Sequence, residues 1–141
     1  MKIALLGYAQ TNRSVHKYLK ERYQQASFSI LDVKDDPDYL KHLKDFDVIY
    51  RTPVIPSFTP EIQEAIKAGV KVTTATNLFF EEAKGMVIGV TGTKGKGTTT
   101  TLIYEILKKA GKDVYLGSNN DQPETDFVDK LNANSIAVLE L

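Results

Sequence analysis

Short apolar runs alternate with helical patterns along the chain. The runs are rich in Val, Ile and Leu, and several end at Gly or Asp, which is typical of buried strands. Strands that alternate with helices indicate parallel sheets and an α/β fold class. The predicted strands are Lys2–Leu6, Phe28–Leu31, Asp47–Tyr50, Val70–Thr73, Met86–Ile88, Val114–Leu116 and Ile136–Leu141.

Apolar residues spaced three and four positions apart predict helices between these strands. Thr59 is predicted to be the N-cap of a helix that begins at Pro60 and stops at Gly69. His16 and His42 fall on predicted helices and are interpreted as solvated surface residues. A helical pattern after Gly7 has Val15, Tyr18, Leu19 and Arg22 on one side. Asn77–Ala83 is predicted to be a short helix or turn, and the other predicted helices cover Pro37–Leu43, Thr98–Ala110 and Thr125–Leu131.

The pattern divides into two α/β units. Residues 1–84 are predicted to form a doubly wound, Rossmann-like unit, and residues 85–141 to open a second unit that starts with a strand and a glycine-rich loop. The last predicted strand runs to the end of the sequence. We therefore expect the second unit to be truncated and the chain to be an N-terminal fragment of a longer protein.

Composition and charge exclude several functional classes. The 141 residues have a formal net charge of zero, so electrostatics give no reason to expect a nucleic acid or an anionic membrane as partner. The chain contains no cysteine, which excludes disulfides, thiolate metal sites and a cysteine nucleophile. No apolar run approaches transmembrane length, and the opening apolar run is too short for a signal peptide. We expect a cytoplasmic protein.

The strongest chemical signal is the glycine-rich segment Gly89–Thr98, between a predicted strand and a predicted helix. Glycines let backbone N–H groups surround phosphates, the helix N-terminus adds partial positive charge, and Lys96 adds a full charge. The strict P-loop pattern fails at Val90 and Gly97, where Gly and Ser or Thr are expected. Thr98 is the next hydroxyl that can reach Mg²⁺. The alternative is an ordinary surface loop.

Other polar groups follow predicted strands, at the edge where α/β sheets bind ligands. Gly7–Thr11 lacks the full dinucleotide fingerprint. With Asp32 it is a candidate nucleotide-sugar or substrate loop, and the alternative is a structural βα turn. Arg51–Pro56 is by itself better explained as a rigid connector, and Gly117–Pro123 as either a ligand loop or a solvated turn. Glu140 is a candidate Mg²⁺ ligand or water-positioning group; the alternative is an exposed residue of an edge strand.

These motifs resemble a known enzyme family. Val90–Lys96, followed by threonines, is similar to the ATP loop of the Mur ligases and folylpolyglutamate synthetases, whose loop departs from the strict pattern in the same way. The resemblance covers essentially the whole chain and is strongest to the branch that adds D-glutamate to UDP-N-acetylmuramoyl-L-alanine. Its further motifs, in matching order, are the Gly7 loop, Asp32, Thr52-Pro53, Leu78-Phe79, Asn119 with Pro123, and Val138–Leu141.

The resemblance implies an ADP-forming ligase of peptidoglycan precursor synthesis that uses ATP and Mg²⁺. In the family, ATP phosphorylates the substrate carboxylate, and the amino group of the incoming amino acid attacks the acyl phosphate. Residues 1–84 would bind the UDP-sugar, residues 85–141 would open the central ATPase domain, and a third domain would bring D-glutamate. We expect the fragment alone to be inactive and the complete protein to be a monomer.

The resemblance also implies roles for individual residues. Lys96 would be the catalytic residue that holds the β- and γ-phosphates, and Glu140 and Thr98 would bind the metal. The ATP-binding residues would be Gly92, Thr93, Lys94, Gly95, Lys96, Gly97, Thr98 and Thr99. The substrate-binding residues would be Gln10, Thr11, Asp32, Lys34, Thr52, Pro53 and Asn119.

Three departures from the family pattern leave alternatives open. Gly97 replaces the Mg²⁺-binding hydroxyl of most Mur ligases, as in the folylpolyglutamate branch, and Val54 replaces a glycine, which predicts crowding of the uridine site. Ser118–Asp121 differs from the usual Gly-Asn-Ile-Gly. The alternatives are an L-alanine-adding ligase, a folylpolyglutamate synthetase, whose ATP loop lies closer to the N-terminus, and a non-catalytic nucleotide-binding module.

Overall fold

The computed structural model describes residues 1–117 and 122–141. The chain divides into two compact units, Met1–Leu78 and Phe79–Leu141. This division lies a few residues before the boundary expected from the sequence. Each unit is built on its own parallel sheet, so the predicted α/β class with parallel sheets is confirmed.

The first unit contains a four-stranded sheet in the order β2-β1-β3-β4, with neighbouring strands parallel. The central strand β1 carries Ile3, Ala4, Leu5 and Leu6, each at most 1% exposed, because both faces of the sheet are covered. This explains its continuous apolar run. The strands are β1 (Lys2–Leu6), β2 (Ser27–Leu31), β3 (Val48–Arg51) and β4 (Lys71–Thr73).

Helices α1 (Gln10–Arg22) and α2 (Pro60–Lys67) belong to the first unit, and α3 (Ala75–Glu82) spans the division. Their buried positions follow the predicted helical spacing, as with Ile62 and Ala65 of α2. Thr59 lies at the N-cap of α2, but its hydroxyl donates to the carbonyl of Pro56 at 2.7 Å and caps no helix N–H. The predicted N-cap position is confirmed, with Pro60 as the first residue of the helix.

The prediction of a helix over Pro37–Leu43 is wrong. The segment forms successive turns and ends in a 3-10 turn at Leu43–Asp45. The side chain of Asp36 accepts the backbone N–H of Asp38 at 2.8 Å, and such local side-chain bonds compete with helix formation. Leu43 joins the core of the first unit, which explains why the apolar spacing resembled a helical face.

The second unit contains a three-stranded parallel sheet in the order β5-β7-β6. Its strands are β5 (Met86–Val90), β6 (Val114–Gly117) and β7 (Ile136–Glu140), and α4 (Lys96–Lys109) packs against the sheet. On the predicted apolar face of α4, Ile103 and Leu107 are half-buried, whereas Leu102 and Ile106 are exposed. Within residues 1–117 and 122–141, no helix is long and apolar enough to cross a membrane.

The helix predicted over Thr125–Leu131 is replaced by two 3-10 turns, Glu124–Asp126 and Val128–Lys130. Phe127 lies between them with φ −126°, outside the helical region. Its ring is buried, stacked on Tyr115 at 5.5 Å and edge-on to Phe79 at 5.6 Å between centroids. These aromatic contacts explain the departure from a continuous helix.

Candidate functional sites

The first candidate site is a cavity of about 690 Å³ formed by the loops that follow β1, β2 and β3. Because parallel strands end at the same edge, these loops meet there. Of the predicted substrate residues, Gln10, Asp32, Lys34 and Thr52 line the cavity. Thr11 and Pro53 lie next to these residues in the chain but not in the cavity wall. Asn119 lies outside the described residues.

Asp32 connects two of these loops. One carboxylate oxygen accepts the backbone N–H of Tyr8 at 2.9 Å, and the other accepts that of Lys34 at 3.2 Å. These hydrogen bonds, first the one from Tyr8, lower the pKa of the Asp32 carboxyl. Asp32 is therefore ionised at neutral pH and holds the Gly7 loop against the end of β2, and its carboxylate keeps further lone pairs that can accept from a ligand.

Gly7 and Asn12 shape the floor of the cavity. Gly7 has φ +78°, and a Cβ there would lie 2.7 Å from Oγ1 of Thr52, so glycine permits the close approach of these loops. The buried amide of Asn12 donates to the carbonyls of Leu6, Gly7 and Tyr50 at 3.2, 2.7 and 3.0 Å. Asn12 thus ties the ends of β1 and β3. Sequence reasoning missed it, although it occupies a buried-face position of α1.

The loop after β3, residues 52–56, is a structural connector and also forms part of the rim of the cavity. Arg51 donates to the carbonyl of Ile55 at 2.8 Å, which stabilises the loop and supports the connector interpretation. Val54 is 88% exposed and lies at the rim of the cavity, so the crowding of the uridine site stays a prediction. The loop therefore contributes both a rigid turn and part of the cavity lining.

A second group missed from the sequence consists of Tyr8, Arg13 and His16. The Tyr8 hydroxyl is 2.8 Å from Nδ1 of His16, and the guanidinium carbon of Arg13 lies 5.6 Å from the centroid of the Tyr8 ring. His16 also packs on Phe28 at 4.9 Å, so its assignment to the solvated surface is wrong. Burial, assisted by the charge of Lys20, lowers the pKa of His16 and favours its neutral form.

The second candidate site is the loop between β5 and α4. Gly95, with φ +75°, is the N-cap of α4, and no side chain caps the helix or places an acid in its first turn. The first-turn N–H groups therefore remain available to an anion. A Cβ at Gly92 would lie 3.7 Å from Cγ of Lys96, so the lysine side chain runs back over the loop. This arrangement concentrates positive potential at the strand end.

Glu140 lies beside this loop. It is paired in register with Val90, the last residue before the loop, because β5 and β7 are parallel neighbours. A Cβ at Gly97 would lie 3.4 Å from Oε2 of Glu140. Thr98 is rotated about 100° further around the helix, so Gly97 is the residue opposite the carboxylate. A role for Thr98 at the metal stays a prediction.

The carboxylate and the loop fit a nucleotide-bound Mg²⁺. Within the described parts of the chain, no three acidic, histidine or cysteine side chains cluster as a metal site. Mg²⁺ that binds with a nucleotide commonly uses one or two carboxylates, the phosphates and water. Glu140 beside the glycine-rich loop supplies one carboxylate of that donor set.

Comparisons with known proteins agree with this geometry. Residues 90–140 match the family model "Mur ligase middle domain". UDP-N-acetylmuramoylalanine–D-glutamate ligases from Clostridium botulinum strain Loch Maree and Haemophilus ducreyi are 32% and 33% identical to the chain, over 99% of its length and 34% and 35% of theirs. The enzyme of that name from Symbiobacterium thermophilum is 42% identical over 103 residues, which are 73% of this chain and 23% of the relative.

A solved structure shows the same fold. A murein peptide ligase from Psychrobacter arcticus superposes with a TM-score of 0.50 at 20% sequence identity, over 99% of this chain and 37% of that one. The chain spans about a third of the length of curated relatives such as those from Clostridium botulinum and Haemophilus ducreyi, at 34% and 35%.

Proposed function

The chain belongs to the Mur ligase family, and we propose that the whole protein is the ATP-dependent ligase that adds D-glutamate to UDP-N-acetylmuramoyl-L-alanine in peptidoglycan precursor synthesis. The observation that carries this proposal is the glycine-rich loop with Lys96, which lies beside Glu140 because Val90 and Glu140 are paired in register. The names of relatives that match 99% of the chain support the choice of substrates. The proposed protein is a cytoplasmic monomer without nucleic acid or membrane partners.

In the second unit, the proposed task is to bind ATP and neutralise its phosphates. Lys96 holds the β- and γ-phosphates, and Glu140 holds Mg²⁺ together with them, with Thr98 as a second candidate ligand. Bound Mg²⁺ neutralises the charge that develops on the transferred phosphoryl group. The remaining proposed ATP contacts come from the loop and the first turn of α4, at Gly92, Thr93, Lys94, Gly95, Gly97 and Thr99.

In the first unit, the proposed task is to hold the UDP part of the substrate. A cavity of about 690 Å³ suits a nucleoside diphosphate. Lys34 adds positive charge to its wall, and the ionised Asp32 fixes the loops. The proposed contacts are those of Gln10, Asp32, Lys34 and Thr52, with Thr11 and Pro53 beside them in the chain and Asn119 for the muramoyl-alanine part.

The proposed reaction needs positioning more than a protein nucleophile. The γ-phosphoryl group passes from ATP to the carboxylate of the alanyl substrate, which releases ADP. The neutral amino nitrogen of D-glutamate then attacks the acyl carbon and loses a proton to solvent, the C–N bond forms, and phosphate leaves with the C–O bonding pair. Lys96 and the backbone N–H groups of the loop hold the phosphates throughout.

A calorimetric titration tests the substrate assignment. UDP-N-acetylmuramoyl-L-alanine is expected to bind the chain about 3- to 10-fold more tightly than UDP-N-acetylmuramate, since the alanyl amide adds hydrogen-bonding groups. Preference for the compound without alanine would move the assignment to the L-alanine-adding ligases. Binding of neither compound would contradict the UDP-sugar site in the first unit.

A further inference from the structure

The residue roles proposed above for the ligase do not include Tyr8, Arg13 and His16. We propose that His16 fixes Tyr8, that Tyr8 orients Arg13 through a cation–π contact, and that Arg13 binds the phosphates of the nucleotide in the first cavity. The inference rests on the proposed function, because it takes a nucleoside diphosphate as the ligand. Arg13 is then a binding residue, and Tyr8 and His16 are positioning residues.

Tyr8 is held at both ends. Its backbone N–H donates to Asp32 at 2.9 Å, and its hydroxyl is 2.8 Å from Nδ1 of His16. His16 packs in turn on Phe28 at 4.9 Å between ring centroids. Since Phe28 belongs to β2 and Asp32 follows it, both attachments of Tyr8 lead to the same strand. The Tyr8 ring therefore has a fixed place in the cavity wall.

The imidazole of His16 forms its hydrogen bond with Tyr8. Within the described residues, Nε2 of His16 is buried without a hydrogen-bond partner, so the contact with Tyr8 satisfies only one ring nitrogen. A buried polar atom without a partner lowers stability. The gain in stability therefore does not by itself explain a histidine at this position. The hydrogen bond to Tyr8 gives His16 a positioning role.

Arg13 has the geometry of an anion-binding residue. Its guanidinium carbon lies 5.6 Å from the Tyr8 centroid, within cation–π range, and its side chain lines the cavity. The guanidinium carbon lies over the Tyr8 ring, and the N–H groups of the guanidinium can donate to phosphate oxygens. No acidic side chain of the described residues forms an ion pair with Arg13.

Orientation by Tyr8 reduces the entropic cost of binding. A free arginine side chain loses much rotamer freedom when it is ordered on a ligand. An arginine already placed on a fixed ring loses less, so affinity increases without any new contact. Arg13 and His16 lie one turn apart on α1 and contact the same tyrosine, which couples the three side chains.

The test compares binding of UDP and uridine to the chain and its variants. Arg13→Gln is expected to weaken UDP binding about 10- to 100-fold, with a shallower salt dependence and unchanged uridine binding. The matched control is Arg22→Gln, because Arg22 stacks on Tyr18 at 4.1 Å on the same helix but does not line this cavity. This control is expected to bind UDP like the unmodified chain.

Further variants test the positioning chain. Tyr8→Phe keeps the ring but loses the bond to His16, and is expected to weaken UDP binding about 2- to 5-fold. His16→Asn places an amide near the position of Nδ1 and is expected to preserve UDP affinity. His16→Gln places its amide near Nε2 and is expected to behave like Tyr8→Phe. Melting temperatures report whether each variant remains folded.

The outcomes separate this inference from the proposed function. If the unmodified chain binds UDP and Arg13→Gln binds it equally well, the inference is overturned and the proposed function stands. Equal weakening of UDP and uridine by Arg13→Gln would also overturn it, since a phosphate contact affects UDP alone. Equal affinities of His16→Asn and His16→Gln would overturn the role of His16. Absence of UDP binding by the unmodified chain would overturn both proposals.

Discussion

Replacing Lys96 with alanine is expected to lower the affinity of the chain for ATP about 10- to 100-fold, because a charge-assisted contact with phosphate is lost. Lys96 is the first residue of α4, and its side chain runs over Gly92 in the loop proposed to bind the phosphates. The affinity for UDP should not change, because the cavity proposed to bind UDP lies in the other unit. Calorimetry with a non-hydrolysable ATP analogue and with UDP measures both affinities.

The matched control is Lys94→Ala. Lys94 lies in the same loop and carries the same charge, but the proposed contact uses its backbone, so its replacement should weaken ATP binding much less. Equal effects of the two substitutions would mean that only the summed charge of the loop matters. Loss of UDP binding in Lys96→Ala would contradict the separation of the two sites.

The largest stability effect is expected for Gly85→Ala. Gly85 has φ +93°, and a Cβ there would clash with the carbonyl oxygen of Ser135 and lie 2.7 Å from that of Asn132. Both are backbone atoms, and the side chains of Ser135 and Asn132 also bond to Asp113, which limits relaxation. Strained φ and overpacking together predict a loss of about 3 kcal/mol in the unfolding free energy of the second unit.

Gly111→Ala is the control within the same unit. Gly111 has φ +73°, but a Cβ added there would meet no atom within 4 Å, so only the backbone strain remains. A loss of about 1 kcal/mol is expected. Hydrogen exchange of the β5 and β7 amides measures the unfolding free energy of the second unit separately from that of the first. Equal losses in the two variants would contradict the close approach of Gly85 to the Asn132–Ser135 turn.

The strands and most helices were predictable because their burial is periodic. β1 reads as an unbroken apolar run since both its faces are covered, and α1 places Val15 and Leu19 inward at helical spacing. The two wrong helices depend on information that periodicity lacks. At Asp36 a side chain bonds the local backbone, and at Phe127 aromatic partners distant in sequence determine the conformation.

The candidate sites were predictable where chemistry is local in sequence. The glycine-rich loop and its lysine lie in one segment, and Glu140 was identified by its place near the end of an apolar strand. The Tyr8–His16 bond depends on where a helix face meets a loop, and the position of Gly97 opposite Glu140 depends on strand register. No local sequence pattern predicts either contact.

The proposed ligation can be measured by incubating the whole protein with ATP, Mg²⁺, UDP-N-acetylmuramoyl-L-alanine and D-glutamate, followed by mass spectrometry and ADP quantification. We expect a product heavier by one glutamyl residue, one ADP per product, and no product from Lys96→Ala. ADP release that does not depend on D-glutamate, or transfer of L-alanine to UDP-N-acetylmuramate in its place, would contradict the proposed D-glutamate-adding activity.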